Sequence, residues 1–145
     1  MPPPTETDDK VRLSMDAINE RLQAADYPTV DAVVGIQTGG RIPATLLSFH
    51  LSLPLYMLPI NFRDENNEPR YGEPKVLAEV HKLPQAGARV LLVDDVAVSG
   101  ATMDKARELL GGYAITTFAL KGRPGKADII LFPEVRQCVH WPWLS

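Results

Sequence analysis

The sequence of this 145-residue chain predicts an α/β fold with an open, mainly parallel sheet flanked by helices. Short, continuously apolar segments alternate with segments whose apolar residues recur at helical spacing, as in parallel strands joined by right-handed helical crossovers. Few polar residues interrupt the apolar segments, as expected of strands that are buried on both faces. The length suits one core, so we expect a single domain over residues 1–145.

Two helices and two strands are predicted in the first half of the chain. Residues 1–7 are rich in proline and predict a flexible tail. Asp8 or Asp9 is the expected cap of a first helix. The apolar residues of this helix, at helical spacing, are Val11, Met15, Ile18 and Leu22. The elements expected next are a strand at 32–36, a helix at 42–51 and a strand at 55–60.

The second half begins with a polar, turn-rich segment at residues 61–75. A loop of this length in a small domain more often has a function than not, so we expect a mobile active-site loop. The elements expected after it are strands at 76–80, 89–93, 114–120 and 128–131, and a helix at 101–111.

Composition and charge exclude several classes of function. The net charge of −3 argues against a nucleic-acid partner, because such proteins usually carry a basic face. No apolar run reaches the roughly 18 residues of a membrane span, and the N-terminus lacks the basic and apolar regions of a signal peptide. The single Cys138 excludes an internal disulfide and a cysteine-based zinc cluster. We therefore expect a cytoplasmic protein without a membrane partner.

Three segments are expected at the carboxyl ends of parallel strands, where ligands bind in open α/β sheets. They are residues 37–41, 94–102 and 121–127. In the second segment, Asp94 and Asp95 can accept hydrogen bonds from ribose hydroxyls or hold a hydrated Mg²⁺. The alternative is that the acid pair merely caps the next helix.

The same segment continues into residues that suit a phosphate group. Backbone N–H groups at a helix N-terminus bind phosphate without Lys or Arg. Gly100 allows a close approach of the backbone, and Ser99 and Thr102 can donate their hydroxyls. Neither a Walker P-loop nor a dinucleotide fingerprint is present. The pattern therefore predicts a sugar-phosphate site.

Residues 90–102 resemble the phosphoribosyl-pyrophosphate (PRPP) signature of the type I phosphoribosyltransferases. In that family the paired acids contact the ribose hydroxyls and the following loop holds the 5′-phosphate. The resemblance implies catalytic and Mg²⁺-binding roles for Asp94 and Asp95. The PRPP contacts that it implies in this segment are Asp94, Asp95, Ala97, Val98, Ser99, Gly100, Ala101 and Thr102.

Residues 35–44 resemble the pyrophosphate loop of the same family, often built around a strained peptide before the first glycine. The resemblance implies that Thr38, Gly39, Gly40 and Arg41 bind the diphosphate of PRPP. Arg41 is the catalytic candidate, since a guanidinium offers paired donors to the leaving group. The alternative is a plain tight turn before a helix.

Residues 118–121 (Phe-Ala-Leu-Lys) and 141–143 (Trp-Pro-Trp) resemble segments of the bacterial xanthine-guanine phosphoribosyltransferases. The likeness implies that residues 121–145 form a small C-terminal hood that recognises the base, with base contacts from Val98, Lys121 and Trp141. The alternatives are that the lysine is a solvated surface residue and that the tryptophans are core or interface aromatics.

Val98 departs from the pattern of the 6-oxopurine enzymes, which carry an acid three residues after the second paired carboxylate. A valine side chain cannot accept a proton or bond to N7 of a purine. Adenine- and orotate-specific relatives also lack an acid there. The acceptor base therefore stays open, with a purine favoured over a pyrimidine.

The resemblance implies Mg²⁺-dependent transfer of the 5-phosphoribosyl group from PRPP to a nucleobase nitrogen, with release of diphosphate. Nucleotide salvage by a homodimer or homotetramer is the implied context. One basic residue of residues 61–75 (Arg63, Arg70 or Lys75) is the implied diphosphate contact. Two other interpretations stay open. One is a non-catalytic sensor of PRPP or a nucleotide, which Val98 supports, and the other is an interaction module that retains only the fold.

Overall fold

The computed structural model describes residues 11–37, 39–61, 75–76 and 83–143. The strands within these residues are β1 Val11–Arg12, β2 Ala32–Gln37, β3 Leu55–Asn61, β4 Lys75–Val76, β5 Arg89–Ala97, β6 Ala114–Gly122, β7 Ile129–Ile130 and β8 Val139–His140. The helices are α1 Met15–Ala24, α2 Arg41–Leu51 and α3 Ala101–Leu109.

The main sheet has the strand order β4-β3-β2-β5-β6-β7. All neighbours from β3 to β7 pair in parallel, and only the edge strand β4 runs antiparallel to β3. β1 and β8 pair in parallel as a separate two-stranded sheet. This arrangement confirms the predicted open, mainly parallel α/β sheet. Among the described helices, none is long and apolar enough to cross a bilayer.

The central strands are buried on both faces, because successive side chains of a strand point to opposite sides of the sheet. Val33 of β2 packs with α1 and α2, whereas its neighbour Val34 packs with α3. The core on the first face is formed by Ile18, Leu22, Val33, Ala44, Leu47, Leu91, Val93, Phe118, Leu120, Leu131, Phe132 and Trp141. The core on the second face is formed by Ala32, Val34, Ile36, Leu58, Ile60, Val90, Leu92, Ala97, Met103, Ala106, Leu110 and Ala119.

Helix α1 begins later than the sequence predicts. Its N-cap is Ser14, whose Oγ accepts a hydrogen bond from the backbone N–H of Ala17 at 3.0 Å. Val11 belongs to β1 instead and pairs with Val139 near the other end of the chain. The expectation of a helix that is capped by Asp8 or Asp9 and includes Val11 is therefore wrong.

Strands β5 and β6 extend further than predicted. Their pairing continues to Ala97 and Gly122, so Asp94 and Asp95 lie within β5 and not in a loop after it. The loop between β5 and α3 consequently shrinks to residues 98–100.

Several predicted segments lie outside the described residues. These are the tail at 1–7, residues 62–74 of the predicted active-site loop, and residues 77–80 of the predicted short strand. The two ends of that loop, Asn61 and Lys75, belong to β3 and β4, which pair with each other.

Candidate functional site

Three chain segments meet at the carboxyl ends of the adjacent strands β2, β5 and β6. The turn after β2 touches the acid pair of β5, because a Cβ on Gly39 would lie 2.4 Å from Oδ1 of Asp95. The end of β6 touches β5, because a Cβ on Gly122 would lie 2.4 Å from the carbonyl oxygen of Ala97. The three predicted ligand segments therefore lie side by side at one edge of the sheet.

The two carboxylates of β5 are held in fixed orientations by backbone donors. Oδ1 of Asp94 accepts from the N–H of Asp95 at 2.8 Å, and Oδ1 of Asp95 accepts from the N–H of Val96 at 2.8 Å. Asp94 is 7% exposed and Asp95 is half-buried. The backbone of β5 therefore sets the orientation of each carboxylate.

The acid pair does not cap the following helix. The N-cap of α3 is Gly100, five residues beyond Asp95, and it adopts a left-handed conformation with φ of 81°. The Oγ of Ser99 accepts from the N–H of Ala101 at 3.2 Å. Residues of the 98–100 loop therefore carry out the capping, and the acid pair does not.

The loop at residues 98–100 leads directly into the first turn of α3. The positive φ of Gly100 is strained for any other residue, so the glycine is needed to turn the chain. Val98 and Thr102 are half-buried, whereas Ser99 is exposed. The arrangement presents a helix N-terminus beside two carboxylates, which suits a phosphate that is attached to a hydroxylated sugar.

The two glycines after β2 are explained by close packing. A Cβ on Gly40 would lie 2.2 Å from the carbonyl oxygen of Val93, and the N–H of Gly40 donates to the carbonyl of Ile36 at 2.7 Å. Gly39 is pressed against the Asp95 carboxylate. The segment is therefore more than a plain tight turn. Thr38 lies outside the described residues.

Arg41 is the first residue of α2 and is exposed at the same edge of the sheet. Arg41 directly follows Gly40, so its long side chain starts beside the glycine turn and can extend towards the site. The structure therefore leaves Arg41 able to meet an anion that binds at the turn.

Lys121 and Trp141 differ in how the structure places them. Lys121 is 8% exposed and pairs with Val96 across the ladder of β5 and β6, so it is not a solvated surface lysine. Trp141 is 3% exposed and stacks on Trp143 at 5.4 Å between ring centroids. It belongs to the same apolar cluster as Phe118, and its burial favours a role as a core aromatic.

A turn at residues 123–126 lies within the predicted ligand segment 121–127, although none of its residues was predicted as a ligand contact. It follows β6 directly, and its first N–H, from Arg123, donates to the carbonyl of Ala97 at 2.9 Å. The signal that predicts the turn is the dipeptide Pro124-Gly125 in the sequence.

A separate cleft of about 490 Å³ lies at the opposite edge of the sheet, by the amino ends of β2 and β5. Among the described residues that line it, Asp31 carries the one charge, and this carboxylate is paired with Arg89. Those described lining residues include no cation for a phosphorylated ligand. The edge that carries the acid pair and the α3 N-terminus is the better candidate.

Asp94 and Asp95 are chemically suited to Mg²⁺, which favours carboxylate oxygens and keeps several water and phosphate ligands. Within the described part of the chain, no three His, Cys, Asp or Glu side chains come together as a metal cluster. The residues therefore fit a metal that arrives with a phosphorylated substrate better than one held by an all-protein cage.

Residues 9–120 match the family model of the phosphoribosyl transferase domain. The chain therefore belongs to this family. The match covers β2, β5 and most of β6, and thus the strands that carry the site.

Two curated relatives illustrate the range of bases in the family. The chain is 29% identical to the orotate phosphoribosyltransferase of Sulfurisphaera tokodaii, over 78% of this chain and 54% of that enzyme. It is 35% identical to the adenine phosphoribosyltransferase of Treponema pallidum, over 66% of this chain and 54% of that enzyme. The chain thus spans about half the length of each.

Two solved structures match nearly the whole chain. The purine phosphoribosyltransferase of Pyrococcus horikoshii superposes with a TM-score of 0.75 at 26% identity, over 94% of this chain and 95% of that chain. A protein of Neisseria gonorrhoeae with bound ppGpp superposes with a TM-score of 0.70 at 25% identity, over 94% and 90% of the two chains.

Proposed function

We propose that this protein transfers the 5-phosphoribosyl group of PRPP to a nitrogen of a nucleobase and releases diphosphate. The observation that carries the proposal is the contact between Gly39 and the Asp95 carboxylate. It joins the turn suited to diphosphate to the acids suited to ribose, and PRPP carries its diphosphate on C1 of the ribose.

Each segment of the site has one task in this proposal. Asp94 and Asp95 accept hydrogen bonds from the ribose hydroxyls and orient C1 towards the base. The amides of residues 98–100 and of Thr102 hold the 5′-phosphate, with the hydroxyls of Ser99 and Thr102 as further donors. The backbone N–H of Gly39 and the guanidinium of Arg41 bind the diphosphate, and Gly40 lets the turn pack closely on β5.

The reaction is a displacement at C1 of the ribose. The bond between C1 and the diphosphate oxygen breaks, and its electron pair leaves with the diphosphate. The base nitrogen forms the new bond from the opposite face and gives up its proton to the departing diphosphate. Donors at residues 39–41 stabilise the charge that develops on the leaving group.

Asp94 and Asp95 are the residues that would hold Mg²⁺ together with PRPP. A bound Mg²⁺ supplies positive charge to the leaving diphosphate. The carboxylates would keep their orientation through the N–H donors of Asp95 and Val96.

A purine is the acceptor favoured by the likeness to the Pyrococcus purine enzyme over nearly the whole of both chains. On the base side of the site, the buried Lys121 can donate to an exocyclic oxygen, and Val98 offers an apolar contact to the ring. Trp141 is assigned to holding the hood in place because it is buried.

Release of diphosphate from PRPP, measured with a panel of purines and pyrimidines at millimolar Mg²⁺, tests the proposal. We expect turnover with at least one purine, and its loss when Asp94 and Asp95 are both replaced by asparagine. Gly112→Ala is a matched control, because a Cβ there meets nothing within 4 Å. Failure of the wild-type protein to bind PRPP by calorimetry would reject the proposal.

A nucleotide sensor of the same fold is the second candidate. The Neisseria neighbour has ppGpp bound, and Val98 removes the acid that a 6-oxopurine enzyme carries. A sensor binds PRPP or a guanosine polyphosphate but releases no diphosphate with any base. The same panel, run beside calorimetry with both ligands, therefore separates the two functions.

We also propose that the chain self-associates and serves nucleotide salvage in the cytoplasm. Phe49 on α2 is 88% exposed, and a large apolar side chain in water favours burial against a second copy. The exposed thiol of Cys138 suits a reducing compartment.

A further inference from the structure

The turn at residues 123–126 has the sequence Arg-Pro-Gly-Lys and a defined geometry. The N–H of Lys126 donates to the carbonyl of Arg123 at 3.1 Å, and Gly125 has a φ of 83°. Proline at the second position and a glycine with positive φ at the third are typical of a type II turn. The direction in which the Lys126 side chain leaves the backbone is thus set by the turn.

This turn is attached to the strand that carries the acid pair. The Cα of Gly122 packs on the carbonyl of Ala97 so closely that a Cβ would lie 2.4 Å from its oxygen. The N–H of Arg123 donates to the same carbonyl at 2.9 Å. The turn therefore holds its position relative to the loop at residues 98–100.

Lys126 extends from the turn to that loop. Its Cδ lies 3.4 Å from the position of a Cβ on Gly100, which places the aliphatic stem next to the N-cap of α3. The ammonium is only two bonds beyond Cδ, so it stays near the first turn of the helix. Lys126 is exposed, so its ammonium is open to a ligand.

We propose that Lys126 contacts the 5′-phosphate of the phosphoribosyl substrate. This inference rests on the proposed function and adds a binding residue to it. The carboxylates of Asp94 and Asp95 belong to the same candidate site and repel a phosphate dianion. An ammonium next to Gly100 offsets that repulsion, because a phosphate attracts a Lys point charge as well as backbone amides.

In this proposal, one chain segment contacts both the 5′-phosphate and the base. Lys121 and Lys126 belong to one continuous segment that is fixed to Ala97 through Gly122 and Arg123. Binding energy from the non-reacting phosphate end can then be used to orient the reacting centre.

Lys126→Met tests the contact, because methionine keeps an unbranched apolar stem and removes the charge. We expect the Kd for ribose 5-phosphate to rise by about fivefold at low salt, the upper end for an exposed ion pair. The Kd for diphosphate, which binds at residues 39–41, should stay unchanged. Lys105→Met is the control, since it removes the same charge one turn further along α3, where Lys105 faces Glu108 at 4.0 Å.

Each other outcome overturns the inference in a recognisable way. If Lys126→Met and Lys105→Met raise the Kd values for ribose 5-phosphate and for diphosphate by the same factor, the effect comes from net charge alone. If Lys126→Met leaves ribose 5-phosphate binding intact in an active enzyme, Lys126 only packs on Gly100 and the proposed function stands. If the wild-type protein binds neither ligand, both proposals fail together. Lys126→Arg should retain wild-type affinity, and thermal melts of all variants establish that they are folded.

Discussion

Replacing Gly39 with alanine perturbs the contact between the turn after β2 and the acid pair. The new Cβ would lie 2.4 Å from Oδ1, 2.7 Å from Cγ and 2.9 Å from Oδ2 of Asp95. Ordinary contact begins at 3.4 Å, so the carboxylate must retreat by about 1 Å. Because the obstacle is a half-buried side chain and not backbone, the sheet need not unfold to accommodate it.

The expected result is a loss of function that greatly exceeds the loss of stability. A displacement of about 1 Å in a positioning group costs about 100-fold in rate, or about 2.7 kcal/mol in transition-state free energy. Movement of Asp95 also weakens its hydrogen bond with the N–H of Val96, at a cost of about 1 kcal/mol in folding. The melting temperature should therefore fall by only about 2–4 °C.

Diphosphate release and PRPP calorimetry are the assays, and two other glycines supply the comparison. Gly112→Ala should leave activity and stability unchanged, since its Cβ meets nothing within 4 Å. Gly40→Ala should lose stability first, because its Cβ would lie 2.2 Å from the backbone oxygen of Val93. Wild-type kcat/KM and PRPP affinity in Gly39→Ala would refute the idea that this contact sets the site geometry.

Three further predictions concern stability and assembly. Hydrogen bonds from the side chain and backbone N–H of Arg89 lower the pKa of Asp31 to about 2 from 3.8. The stabilisation is present above about pH 4 and is lost as the pH falls towards 2, so the melting temperatures of wild type and Asp31→Asn should converge over that interval. Tyr27→Phe removes a 2.5 Å bond to the carbonyl of Leu22 and should cost about 1 kcal/mol in urea unfolding; an unchanged midpoint would contradict this. Phe49→Glu should lower the mass found by analytical ultracentrifugation, and an unaltered mass would show that Phe49 lies outside any interface.

The parallel sheet could be predicted from the sequence because its central strands are buried on both faces. Residues 90–93 and 32–36 are uninterrupted apolar runs, and each lies in the core of the structure. The ends of the strands could not be predicted in this way. β5 continues through Asp94 and Asp95 because its backbone pairs with β6, and backbone pairing leaves no mark in hydrophobicity.

The prediction of where α1 begins was wrong for a different physical reason. Val11 and Met15 are four residues apart, which fits a helix, yet Val11 pairs with Val139 in a small separate sheet. Local periodicity carries no information about a partner more than a hundred residues away. Ser14 was the local signal, since serine is a preferred N-cap.

The chemistry of the site was more predictable than its contacts. The acid pair, the glycine turn and the loop before α3 follow from residue types at known positions of a parallel sheet. Contacts between segments, such as Gly39 with Asp95 and Gly122 with Ala97, depend on how neighbouring strands are placed. The burial of Lys121 depends in the same way on its pairing with Val96.

The stacked pair Trp141 and Trp143 gives the molecule a local optical signal. These are the only two tryptophans of the chain, and their ring planes lie within 5° of each other. Tryptophan emission therefore originates from one short C-terminal stretch, whereas far-ultraviolet circular dichroism reports on the whole sheet. If the two signals change at different denaturant concentrations, that stretch leaves the core as a unit of its own.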